Sequence, residues 1–499
     1  MMLAHFATTD NFSRRLAGVE ANGKFNSMSA GPQDGKLSSN LKDVVTQLKD
    51  RFDLTYVYCW HGLPAYWGGV MPNVPELSEL NTSLVFPEPT PGLLEVEPSM
   101  AWNPATLAGV GVPKDITALF SRMHQYLKSC GIDGVKVDCQ GAIGLAGSGV
   151  GGGPALTRRY HAAFEDSVKD NFVNNHCINC MCHSTENLYR MENTSVARVS
   201  DDFYPRDPAS NTPHIAACTY NSLFMSVLVH PDWDMFQSNH HSAELHGMAR
   251  AVSGAAIYVS DRPGQHDFEL LRRMVFPDGT VLRALQPALP TRDCLFNDVL
   301  RDGKSLLKVW NVNRYCGILA VFNLQGSSWD RSKRQFFTHD SSPKPLSVQV
   351  MATDVEDVFP PAAVASPVVA YSYSTKKLHL LQSNEPIDVS LKAGGSDVLT
   401  FSPVLKAGGF CFAPVGLSNM YNSGGAVLAC SAASTDGIDS VKFTTTTRTG
   451  GVFLAYCNTA PAFVRVDGAA HTFKYDANTA TLQADLPHSK KACDVVVEL

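Results

Sequence analysis

The chain is short of basic charge, of long apolar runs and of paired cysteine spacings, and each shortage removes a class of function. Its 41 Lys and Arg are outnumbered by 47 Asp and Glu, a formal net charge of -6. A nucleic-acid-binding surface needs a basic excess, so none is expected. No run reaches the length of a membrane span, and the start, MMLAHFATTDNFSRRLAG, has no apolar core followed by a small-residue cleavage site. Secretion and membrane insertion are therefore not expected, and the sequons at Asn81 and Asn193 are read as chance matches. The 13 cysteines are odd in number and lack a disulfide-like spacing, which suits a reducing compartment, the cytoplasm or the plastid. Cys177, Cys180 and Cys182 make one C-x-x-C, but no second follows at zinc-ribbon spacing, so the run is expected to be a buried strand rather than a metal site. The glycine-rich stretch 142–157 lacks a following G-K-[ST], which argues against a phosphate-binding loop and for a flexible loop at a barrel rim.

What is present is a chain of 499 residues with 44% hydrophobic content, room for two or three domains. Up to about residue 275, short apolar runs alternate with amphipathic stretches, the pattern of β/α units around a parallel sheet. Six candidate strands are TYVYCW (55–60), GVKVDC (134–139), the run 176–182, ARVSDD (197–202), DWDMF (232–236) and AIYVSD (256–261). Helices fall between them. LKDVVTQLKDRF has Val44, Val45, Leu48 and Phe52 on one face, and ITALFSRMHQYLKSCG has a stop signal at Gly131. HAAFEDSVKDNF and SAELHGMARAVSG read the same way. Beyond about residue 300 the helical period fades. LLKVWNV, CGILAVFNL, LSVQVMA, VVAYSYS, GVFLAYC and CDVVVEL read as strands of an antiparallel sandwich. The expected division is a catalytic α/β domain, 1–302, and a β-sandwich domain, 303–499.

Active sites of parallel barrels lie at the C-terminal ends of the strands. Asp138, Asp201 with Asp202, Asp234 and Asp261 stand at such ends, and Trp60 with His61 ends another. Lys136 shares the strand face of Asp138, where an ammonium favours an ionised carboxylate fit to be a nucleophile. Asp201 and Asp202, beside Arg198, are adjacent carboxylates, an arrangement that can hold different charge states and so suits a general acid. Trp60, Trp67 and Trp233 offer flat faces on which the C–H face of a sugar could lie. Each is equally well placed to be core.

These segments resemble one family. KVDCQ is similar to the nucleophile motif of glycoside hydrolase family 36, in its raffinose synthase and seed imbibition branch. VSDDFYPRDPASNTPHIAACTYNSLF resembles that branch's acid/base segment; PDWDMFQSNHHSAELHGMARAVSGAAIYVSDRPG and YVYCWHGLPAYWGGV extend the likeness across about residues 40 to 325. The resemblance implies a (β/α)8-type TIM barrel and a retaining double displacement on α-galactosides. It places Asp138 at the nucleophile and Asp201 at the acid/base position, with Asp202 adjacent as the alternative. It makes Lys136 and Arg198 residues that grip galactose. A retaining pair of carboxyl groups stands roughly 5–5.5 Å apart. The implied substrates are small oligosaccharides: galactinol, sucrose and raffinose. No metal or organic cofactor is implied. Transfer to sucrose and hydrolysis by water both remain open, as does a non-catalytic sugar-binding role. The family's N-terminal β-sandwich and its first two barrel strands, with W-C-T-W-type and I-D-D-G-W-type runs, have no counterpart here. The expectation is therefore a truncated barrel lacking its first two strands and leaving two sheet edges unpaired.

Overall fold

The computed structural model describes residues 2–6, 14–21, 28–29, 37–38, 41–359, 366–382, 385–434, 440–489 and 491–499. The chain forms two compact units. The first comprises residues up to Arg198 together with Leu228–His230; the second comprises Val199–Val227 and Pro231–Leu499.

In the first unit, helix α1 (Leu41–Phe52) precedes strand β1 (Tyr58–Gly62). Leu41 and Val45 of α1 are buried, whereas Phe52, expected on the same face, is exposed. The helix is anchored instead by Lys49, whose Nζ reaches Asp133 Oδ1 at 2.8 Å and the Gly131 carbonyl at 2.9 Å. Helix α2 (Ile116–Ser129) buries Ile116, Leu119, Phe120, Met123 and Leu127, the i, i+3, i+4 stripe of an amphipathic helix. Asp115 caps its start by accepting the Ala118 N–H at 2.9 Å. Its end is closed at Gly131, φ +81°, beyond which the Ile132 N–H returns to the Leu127 carbonyl at 3.1 Å. Only a residue without Cβ takes that left-handed turn at no cost.

Strand β2 (Gly134–Asp138) follows, then helix α3 (Gly153–Asn171), β3 (Cys177–Asn179) and β4 (Val196–Arg198). The order is β1-β2-β3-β4 and every pairing is parallel. Val135 and Val137 of β2 are buried among Phe120, Tyr160 and Phe164 of the two helices. The intervening glycine-rich stretch is a short 3-10 turn, Ile143–Gly147, running into α3. A Cβ on Gly147 would come within 2.2 Å of the Gly153 nitrogen and one on Gly153 within 2.7 Å of the Gly144 carbonyl, so close backbone approach explains these two glycines.

The second unit carries α4 (Asn211–Met225), most of β5 (His230–Asp232) and α5 (Ala243–Ser253). Two expected strands are corrected here. DWDMF does not extend as a strand, because Asp234 sits at φ +65° and turns the chain after Asp232. AIYVSD is reduced to one parallel bridge, Val259 with Phe236, and adds no sixth strand to the sheet among the described residues. Beyond residue 300 all six expected runs are strands, and the pairings there are antiparallel. A six-stranded sheet includes Leu307–Val312, Gly317–Phe322 and Ser396–Pro403. Two five-stranded sheets face one another across Phe412, Phe453, Leu482, Phe443, Val495 and Val497. A hairpin of β6 (Ser327–Asp330) and β7 (Gln335–Thr338) stands apart from these sheets.

Candidate active site

In the first unit the β1–β2 register sets Trp60 opposite Lys136 and Gly62 opposite Asp138. Strand alternation buries Val135 and Val137 and leaves Lys136 and Asp138 half-buried on the other face, as expected. Asp138 is held at both carboxylate oxygens. The Trp60 indole Nε1–H donates to Oδ2 at 3.1 Å, and the Cys139 backbone N–H donates to Oδ1 at 2.8 Å. Two donors to two oxygens leave the carboxylate little rotational freedom while its remaining lone pairs stay open. Trp60 is 38% exposed, so its ring is available as well as oriented. Trp67 is half-buried a few residues on.

The neighbouring groups are poor rivals for a nucleophile. Burial, then the negative charge of Asp138, pushes the Cys139 thiol well up from its usual range. Burial also raises Cys177, and takes Cys182 up to about 12. These thiols are buried and stay protonated, and among the described residues no group of His, Cys, Asp or Glu is arranged to hold a metal ion. His61, at the end of β1, is fully buried; one imidazole donates to the other between its Nε2 and that of His124, 3.1 Å apart. Burial lowers His61 to about 4, against the opposing hydrogen bond with the Gly62 carbonyl, and lowers His124 well below its ordinary value. Both are neutral packing groups. Arg198 is 1% exposed, with a guanidinium nitrogen 3.8 Å from Cys180 Sγ and its carbonyl accepting from His183 Nε2 at 2.6 Å.

In the second unit Asp201 and Asp202 are exposed and line one cleft of about 390 Å³. They follow Val199, whose N–H donates to Asp232 O at 3.2 Å, and precede Phe203, whose N–H donates to Asp234 Oδ2 at 2.8 Å. Asp234 therefore clamps the loop that presents the pair. It is buried, and its own N–H donates to Asp232 Oδ1 at 3.0 Å. Tyr258 OH donates to Asp232 Oδ2 at 2.9 Å. Arg250, fully buried, ties the turn by donating to the carbonyls of Trp233 (2.8 Å) and Met235 (3.0 Å). The sugar-binding expectation for Trp233 is corrected: the ring is 0% exposed, with Nε1–H directed to Ser222 Oγ at 3.3 Å, and no ligand can stack on it. Asp261 is half-buried and accepts the Ser238 N–H at 2.9 Å, which makes it a loop anchor.

Sequence reasoning missed the aromatic wall of this cleft. Trp329 of β6 and Phe336 of β7 are a cross-strand pair, rings edge-to-face at 4.9 Å, and both line the cleft with Tyr220 of α4. The signal was there in SSWDRSKRQFF: two short aromatic runs flanking a polar turn.

The fold class is thus α/β followed by antiparallel β, with carboxylates offered where parallel strands end. The chain belongs to the family described as raffinose synthase or seed imbibition protein Sip1, whose model matches residues 4–486. It is 40% identical over 479 residues to "Probable galactinol–sucrose galactosyltransferase 6" of Arabidopsis thaliana, covering 95% of this chain and 62% of that one. It is 37% identical to the "Galactinol–sucrose galactosyltransferase" of Pisum sativum, covering 95% of this chain and 61% of that one. The chain thus spans about three fifths of the length of these relatives. Among solved structures it is similar to the α-galactosidase of Saccharomyces cerevisiae with raffinose, TM-score 0.45 and 10% identity, covering 75% of this chain and 87% of that one.

Proposed function

We propose that this chain carries a retaining α-galactosyl transfer, from galactinol to sucrose, by double displacement. Its family membership supports the reaction class, and the double N–H grip on Asp138 is the observation that carries the assignment of the nucleophile. A nucleophilic carboxylate must be aimed at the anomeric carbon before the reaction, and pre-orientation lowers the entropic part of the barrier. Asp138 attacks that carbon and forms a galactosyl ester. Asp201 protonates the departing oxygen, then takes the proton from the incoming hydroxyl. Asp202 is the alternative for that second role, since both line the cleft. Lys136 grips galactose hydroxyls and Trp60 and Trp67 offer ring faces to it, whereas Arg198, 1% exposed, is too buried to touch the sugar. No metal or organic cofactor takes part. The parallel strands belong to a (β/α)8-type barrel of glycoside hydrolase family 36, and the protein works in the cytoplasm.

The test is turnover with galactinol alone and with galactinol plus sucrose. Raffinose formation in the second mixture is the expected result. Release of galactose in both at equal rates would make the chain an α-galactosidase, and no turnover in either would make it a sugar-binding homologue. Asp201→Asn and Asp202→Asn decide the acid/base: the true one loses about 10²–10⁴-fold on a poor leaving group. It keeps most of its rate of ester formation from an activated aryl galactoside, which needs no proton to depart. Equal losses in both variants would overturn the single-residue assignment.

A further inference from the structure

We infer that the β6–β7 hairpin completes a subsite for an uncharged sugar ring, with Trp329 as its platform, and that this subsite receives the acceptor. The inference rests on the acid/base role proposed for Asp201 or Asp202. One group protonates the leaving oxygen and deprotonates the acceptor oxygen, so leaving group and acceptor must both lie beside it. The cleft that Asp201 and Asp202 line is therefore on the acceptor side of the reaction.

The lining has the chemistry of sugar recognition. Burial along β6 alternates, with Ser328 buried and Trp329 44% exposed. A large apolar ring on the outward face of a short hairpin contributes little to a core, yet this one is held in place. Phe336 braces it edge-to-face, and Tyr204 lies 6.3 Å from Phe336. The turn is fixed by Asp330, whose Oδ1 accepts the N–H groups of Ser332 (2.9 Å) and Lys333 (3.1 Å). Tyr220, which also lines the cleft, is anchored through its hydroxyl, which donates to Cys294 O at 2.7 Å. Rigid rings together with carboxylate acceptors in one lining match a molecule with one C–H face and a rim of hydroxyl donors. The volume, about 390 Å³, falls within the ~300–1,000 Å³ of small-ligand pockets.

Charge narrows the class further. Asp201, Asp202 and Asp298 line the cleft, Asp298 paired with Arg301 at 2.9 Å, and among the described residues no Lys or Arg lines it. A phosphorylated sugar would meet like charge; a neutral one would not.

Calorimetric titration of the full chain with sucrose and with sucrose 6-phosphate tests this without turnover. Sucrose is expected to bind, the phosphate ester at least about tenfold more weakly. Trp329→Ala is expected to weaken sucrose about tenfold with an unchanged melting transition. Trp329→Thr, which retains strand propensity, is the second variant should the first unfold. Variants that bind sucrose like the parent, a phosphate ester that binds as well as sucrose, or no sucrose binding by the parent would each overturn the proposal. Turnover separates the two readings. Galactosyl transfer with normal acceptor dependence in Trp329→Ala defeats only the subsite. Trp329-dependent binding without any turnover defeats only the enzymatic assignment.

Discussion

Asp138 ends β2 in the first unit and Asp234 stands two residues beyond β5 in the second, and they do opposite things. Asp138 is half-buried and held by two N–H donors that aim it. Asp234 is buried in a left-handed conformation and holds the Phe203 N–H and, with Arg250, the turn it stands in. The tryptophans beside them divide in the same way. Trp60 is 38% exposed and donates to Asp138, whereas Trp233 is sealed in the core. Strand-end position thus brings a side chain to the right level of the fold. Whether it meets substrate or backbone depends on the local φ and on which polar groups need a partner.

The sharpest way to break the comparison is at Asp138. Asp138→Asn removes the charge and keeps the size; turnover should fall on the order of 10⁴-fold or more, with the melting temperature unchanged. Near-parental turnover would mean that another residue attacks. Trp233→Ala should do the reverse, destabilising the fold by about 3–5 kcal/mol because a large core ring leaves a cavity. A stable Trp233→Ala protein would show that the ring is not core.

The next effect is in pH. His61 titrates near 4 in the folded chain and near 6.5 when unfolded. A base buried in its neutral form contributes stability that is present above about pH 6.5 and lost as pH falls towards 4, because only the unfolded chain takes up the proton. The loss amounts to about 3 kcal/mol when complete. His61→Gln should make the fall of the melting temperature between pH 7 and 4.5 shallower, with His124 still contributing its share; an unchanged slope would place the acid sensitivity elsewhere. The smallest effect is at Trp60→Phe, which keeps a ring but loses the donor to Asp138. A fall in kcat of roughly tenfold is expected, the scale of one charge-assisted hydrogen bond. A rise in KM alone would make Trp60 a platform rather than an aiming group.

Periodicity and capping chemistry made much of this molecule legible. Gly131 closes α2, as its stop signal implies, and the stripe from Ile116 to Leu127 is the buried face. The apolar runs beyond residue 300 all became strands: short β-branched and aromatic runs between turn residues suit strands, and several, such as Leu307–Val312 and Gly317–Phe322, are buried at every position. Phe52 resisted the same reasoning: it falls on the right helical face but at the last position, past the neighbours that would cover it. Val259 resisted it too, since a β-branched run makes a strand only where a partner offers a full ladder, and here Phe236 offers one bridge.

By itself the sequence determined the order of elements, the α/β-then-β division of character, and the carboxylates at strand ends, because these follow from short-range periods and local backbone chemistry. Tertiary structure decided which of those carboxylates remain available. The left-handed turn at Asp234 spends one on the backbone, and the indole of Trp60, 78 residues away, aims another. It also decided what stands beside Asp201 and Asp202: a Trp329–Phe336 pair brought from more than a hundred residues away by hairpin packing. Contacts between distant segments are set by which surfaces bury together, and no local period records that.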